Sequence, residues 1–159
     1  MFFKISSTPD RRFPVQYMLS NDFWLNVDTG WTELTGEQGI VYWKGYCYEL
    51  PIGRALVDHL FNNPYPNLSG NFFAVLVGKD GVIQTTNDNC RSTPVWASDT
   101  QIGNISTNGT PVWADSVCVI KDKKILQNRY NAIGDMFSTR INLDQAIHSI
   151  HDILVKKFS

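Results

Sequence analysis

The sequence predicts an α+β fold dominated by antiparallel strands. Three observations point there. A nearly all-apolar run, Phe72 to Val77, leads through Lys79-Asp80-Gly81 into a returning run, Val82 to Thr86. Strand-like segments outnumber helix-like ones along the rest of the chain. One clear amphipathic helix pattern lies towards the end, with Leu143, Ala146, Ile147, Ile150, Ile153, Leu154 and Phe158 on one side.

The chain has 159 residues, 43% hydrophobic and 18% charged, which suits a single domain over 1–159 with a sizeable core. A net charge of −1 provides no field for nucleic acid or an anionic membrane. There is no 18-residue apolar run, so no membrane-spanning segment is expected. The apolar part of MFFKISSTPDRR is too short for a signal peptide. Cys47, Cys90 and Cys118 are odd in number and widely spaced, as free thiols in a reducing compartment would be. A cytoplasmic location is therefore expected. No CxxC or HxxxH pair and no Gly-rich phosphate loop occurs, so neither a metal nor a cofactor is expected.

In chain order, Phe2 to Ser6 reads as a strand, followed by a turn at Thr8 to Arg12. Phe13 to Leu19 is strand-like, and Ser20-Asn21-Asp22 turns the chain into the alternating segment Phe23 to Val27. Gly30 to Gly39 reads as a polar connection. Ile40 to Glu49 is aromatic and β-branched, with Gly45 marking a bulge or a close backbone approach. Gly53 to Asn62 is a helix with Ala55, Leu56, His59 and Leu60 on one face, ended by Asn62-Asn63-Pro64. Phe72 to Val77 should be covered on both faces. Asn87 to Ser92 is a polar loop unsuited to a core, and Pro94-Val95-Trp96 re-enters the interior. Ile102 to Ser106 and Val117 to Ile120 are short strands, with turns at Asn108-Gly109 and Asp122-Lys123-Lys124. Ile125 to Arg140 has no decisive pattern. Asn142 with Gln145 forms a capping-box pattern for the last helix.

The central stretch resembles the class II glutamine amidotransferase domain of the asparagine-synthase type. Leu68-Ser69-Gly70-Asn71-Phe72 matches that family's Leu-x-Gly-x-Phe lead into a central hairpin. Asp88 and Pro94 have the family's six-residue spacing, with Val95-Trp96 as its apolar and aromatic pair. Tyr42-Trp43-Lys44-Gly45-Tyr46-Cys47-Tyr48 is similar to its aromatic-Asn-Gly-Glu-apolar-Tyr segment. The likeness spans roughly Ile40 to Asn108. It implies a four-layer αββα sandwich of two antiparallel sheets, the N-terminal-nucleophile hydrolase fold.

The family's chemistry uses a Cys at residue 2, freed by removal of Met1, whose α-amine is the general base. An Asn side chain and a Gly N–H hold the oxyanion. This chain departs at those positions. Residue 2 is Phe2, which has no nucleophile and disfavours removal of Met1. Lys44 stands for the oxyanion Asn, while Gly45 is kept. Tyr46 replaces the Glu, Asn87 the Arg before the Asp, and Arg91 the loop Gly. The substrate-binding Ser/Thr-Asp segment is replaced by Leu50-Pro51-Ile52-Gly53-Arg54. The expected glutaminase activity is near zero, with Asp88, Cys90 and Arg91 lining what was the pocket and Phe2 and Tyr46 available to fill it. The resemblance implies a non-catalytic binding or interaction module, associating with a synthase-type protein or with itself. The ATP-binding Ser-Gly-Gly-x-Asp-Ser loop of the synthase half is not in these residues. The domain is then expected to stand alone or to dock on a separately encoded half.

Other residues invite chemistry of their own. Ser6, Ser7 or Thr8 could become a terminal nucleophile only after a cut that deletes the first strand, so turn hydroxyls are the expectation. Cys47 and Cys118 lie in apolar strands and read as buried thiols. Cys90 beside Arg91, with Lys44, is the set for a rival reading in which cations favour a reactive thiolate. His59 reads as a packed helix residue, and His148 with His151 and Asp152 lacks a third-element ligand. Asp88 is expected to cap backbone N–H groups. An unrelated α+β structural or regulatory protein is the remaining alternative.

Overall fold

The computed structural model describes residues 1–63, 65–105, 109–112 and 116–129, and separately residues 147, 150–152 and 154–155. Residues 1–129 form one compact unit and 130–159 another. In the second unit the described positions are helical, and Ile147, Ile150 and Leu154 of the predicted apolar stripe are exposed. Its predicted cap Asn142–Gln145 and His148 lie outside the described residues, as do Ser106, Thr107 and Asn108.

The first unit is mixed α+β, with two antiparallel sheets of six strands. Sheet A joins β1 (Phe3–Ser6), β2 (Val15–Met18), β3 (Trp24–Val27), β8 (Trp96–Ala97), β9 (Gln101–Gly103) and β10 (Thr110–Pro111) in the order β10-β8-β9-β1-β3-β2. Sheet B joins β4 (Thr32–Thr35), β5 (Gly39–Cys47), β6 (Gly70–Gly78), β7 (Ile83–Asn87), β11 (Ser116–Lys121) and β12 (Lys124–Arg129) in the order β12-β11-β7-β6-β5-β4. Helix α1 spans Arg54–Asn62.

The period-2 pattern of β6 explains the layering. Phe73 and Val75 enter one core with Phe3, Ile5, Leu25 and Val27 of sheet A, so the two sheets pack face to face. Phe72, Ala74 and Leu76 point the other way, into a second core closed by Leu56, Val57 and Leu60 of α1. Each of those helix side chains contributes about 1.5–3 kcal/mol by leaving water. Stacked rings anchor both cores: Phe3 on Phe73 at 4.1 Å and Trp43 on Phe72 at 4.4 Å. The expectation that Phe72 to Val77 is covered on both sides therefore holds.

Several expectations need correction. Gly30 to Gly39 contains β4, an edge strand whose Thr and Glu side chains face water and so hide the alternation. Lys124, expected in the turn, and Ile125 to Arg129, left open by pattern, form β12, which closes a hairpin on β11 through left-handed Asp122 and Lys123. The buried helix face is Leu56, Val57 and Leu60, whereas Ala55 is exposed. Asn87 and Asp88 are buried despite their polarity. Gly45 is the close approach, not a bulge: β5 runs unbroken past Phe72, and a Cβ there would strike the Asn71 carbonyl. Its φ of 110° also requires glycine.

Candidate functional site

The strand registers bring the predicted residues to one end of the sandwich. β1 starts there, β3 ends there, and β5 passes Lys44 and Gly45 before pairing Cys47 with Gly70. The loop after β7 lies at the same end, since Asn87 pairs with Phe73.

Asp28, just past β3, is the hub. Its carboxylate accepts from Lys44 Nζ at 2.9 Å and from the Trp31 indole at 2.8 Å, and lies 3.6 Å from the Met1 α-ammonium. Burial pushes the Asp28 carboxyl up, but the hydrogen bonds from Lys44 and Trp31 outweigh this and hold it below the ordinary value. Lys44 also donates to the Thr29 carbonyl at 2.5 Å. Asn104 brackets the first strand, donating to the Met1 carbonyl at 2.6 Å and accepting from the Phe3 N–H at 2.8 Å. Thr93 Oγ1 donates to the Met1 sulfur at 3.6 Å.

This arrangement differs from the expected one at residue 2. The ring of Phe2 is 56% exposed and lines a hollow on the outer face of sheet A. Alternation along the strand puts Phe3 into the core and leaves Met1 as the side chain packed against the core's end. Tyr46 is half-exposed, edge-on to Tyr48 at 5.4 Å. Neither Phe2 nor Tyr46 therefore fills the space between the sheets.

The central loop is organised by Asp88, which is 1% exposed. Its carboxylate accepts from the N–H groups of Phe72 (3.4 Å), Cys90 (3.0 Å) and Ser92 (3.2 Å), and from the Ser92 hydroxyl in a short contact. This is the expected loop-ordering role. Asn87 donates to the Thr93 carbonyl at 2.8 Å. Arg91 directs its guanidinium to the Ser116 carbonyl at 3.0 Å and lies over the Tyr65 ring at 5.1 Å. Cys90 is exposed. The two cations of the thiolate reading thus have other partners, Lys44 on Asp28 and Arg91 on Ser116. Cys47 is half-buried and its thiol donates to the Leu50 carbonyl at 3.1 Å. Cys118 is buried, and desolvation pushes its thiol up to about 11, which makes it inert at neutral pH.

His59 bonds the Pro66 carbonyl through Nε2 at 2.7 Å, the packed role expected of it. His151 lies 3.8 Å from Asp152 on the exposed helix of the second unit. Among the described residues no cluster of three or more His, Cys, Asp or Glu could hold a metal. No described helix is long and apolar enough to cross a membrane.

No family model and no curated protein matches this chain.

Sequence reasoning missed Asp28, Thr93 and Asn104. Asp28 and Asn104 each stand just beyond a strand of sheet A, where a polar side chain has left the core: Asp28 reaches Lys44 of sheet B, and Asn104 the start of the neighbouring β1. That position was the available signal. Chemically, the cluster holds two ammonium groups, a carboxylate, a carboxamide and a hydroxyl, with an inert thioether at the strand's start. It can bind and orient polar groups. None of these groups combines a nucleophile with an unpaired base.

Proposed function

We propose that this chain is a non-catalytic relative of the class II glutamine amidotransferase domain, with the four-layer sandwich fold that kinship implies. It serves as a binding or protein-interaction module, for a synthase-type partner or for a second copy. Two face-packed antiparallel sheets support this reading, as does a chain start whose Met1 ammonium shares the Asp28 carboxylate with Lys44. The observation that carries it is the chemistry of that chain start. A thioether at Met1 and a benzyl group at Phe2 cannot attack an amide carbonyl, so these two residues cannot supply the nucleophile of the family's covalent route. Lys44, where the family has its oxyanion Asn, is held by Asp28.

The test is direct. The purified full chain given glutamine releases no glutamate or ammonia above a protein-free blank. Turnover by the protein with Phe2 intact overturns the reading. Sedimentation velocity over a concentration series then separates the two kinds of partner: a concentration-dependent dimer favours self-association, and a persistent monomer favours a separate protein.

A further inference from the structure

We propose that the hollow on the outer face of sheet A is a binding site for a small aromatic carboxylate. This goes beyond the reading above and does not depend on it. The hollow measures about 360 Å³, the scale of a site for a single-ring molecule. Its walls include Phe2, Phe13, Pro14 and Ile105. Phe2 and Ile105 are 56% and 45% exposed, so two large apolar side chains flank the same depression in contact with water. An aromatic ring inserted between them removes apolar surface from water on both partners.

Charge selects the other half of the ligand. Lys4 and Arg12 also line the hollow. Both pair with Asp10, at 3.1 and 2.6 Å, so two cations share one carboxylate. Arg12 uses Nε and Nη2 on Asp10, and among the described residues its Nη1 has no partner. Lys4 Nζ donates one of its three hydrogens to Asp10. This corner therefore has one excess positive charge and spare donors suited to a carboxylate. The opposite corner presents the Asp28 carboxylate, whose partners Lys44 and the Met1 ammonium do not line the hollow. The cations that do line it are Lys4 and Arg12, and their spare donors draw an acid group to that corner, with the ligand's ring towards Phe2.

The wall is rigid before any ligand arrives. Asn26, wholly buried, accepts from the Asp10 N–H at 2.6 Å. Asp10 in turn accepts from the Arg12 N–H at 3.1 Å. Gln16 clamps the loop by donating to the carbonyls of Asp10 at 3.0 Å and Phe13 at 2.5 Å. The segment carrying Arg12, Phe13 and Pro14 is thus pinned to sheet A, which lowers the ordering cost of binding.

The experiment is a ¹H–¹⁵N NMR titration of the full chain with phenylacetate, with benzyl alcohol (ring without charge) and acetate (charge without ring) in parallel. Saturable phenylacetate shifts are expected at Arg12, Phe13, Gln101 and Ile105, with benzyl alcohol and acetate each about tenfold weaker or more. Arg12→Gln, at an exposed side chain, should weaken phenylacetate about tenfold and leave the spectrum otherwise native. Lys123→Met, at the far end of the sandwich, should leave binding unchanged. No saturation by about 10 mM phenylacetate, shifts mapping elsewhere, or binding indifferent to Arg12→Gln would each overturn the proposal.

Discussion

At one end of the two sheets the chain reverses in tight turns; at the other it passes through long polar loops. The turn end is stitched at its surface. Ser20 Oγ and Asn21 Nδ2 donate to the Gly81 carbonyl at 2.6 and 2.8 Å, and Lys123 pairs with Asp22 at 3.1 Å. Asn21, Asp22, Asp122 and Lys123 take left-handed conformations that these turns demand. The loop end is stitched from within, by Asp88 at 1% exposure and by the Lys44–Asp28 pair at about a quarter. Polar contacts in water are worth little, and buried ones cost heavily when broken. The loop end should therefore govern both stability and chemistry, while the turns mainly set register.

The sharpest contrast pits one glycine from each end against the other. Gly45→Val forces a side chain into the Asn71 carbonyl from a φ of 110°, and should cost more than about 3 kcal/mol by urea unfolding. Gly81→Ala, with φ at 84° but only distant side-chain atoms around it, should cost about 1–2 kcal/mol. Equal losses would erase the distinction. Next in size, Asp88→Ala strands three backbone N–H groups and should cost about 3 kcal/mol, with the loss read in the same denaturant curves.

Acid should separate the ends further. Asp28 is held below the ordinary carboxylate value of 3.8 when folded, so its contribution is complete above that pH and is lost as pH falls through the folded value. Lys44→Met should destabilise by about 1 kcal/mol near pH 7, and the gap from the parent should close as acid protonates Asp28. A gap that widens in acid would contradict the ion pair. Smallest of all, Lys123→Met at the turn end should change stability by about 0.5 kcal/mol or less, and that difference should fade in salt.

The sheets were largely legible in the sequence because their apolar patterns are strong. The double-faced β6 and the Asp80-Gly81 hairpin follow from residue type alone. β4 escaped notice because an edge strand facing water has no alternation to read. The capping role of Asp88 was legible, but the burial of Asn87 and Asp88 was not, because it depends on the Thr93 carbonyl and on the N–H groups of Phe72, Cys90 and Ser92 replacing water. The candidate site was half legible. Lys44, Gly45, Asp88 and Arg91 come to one end of the sandwich, but which of Met1 and Phe2 faces inward depends on strand phase, and one residue of phase reverses the answer.

The position of β1 also constrains how the protein is made. It is paired on both sides, with β3 early in the chain and with β9 through Lys4↔Gly103. A ribosome releases the first strand about a hundred residues before its second neighbour. Throughout that interval a bare hydrogen-bonding margin lies in the middle of the future sheet, open to mispairing with another nascent copy. That margin is covered only once β9 and Asn104 have emerged, when the Asn104 side chain accepts from the Phe3 N–H at the strand's start.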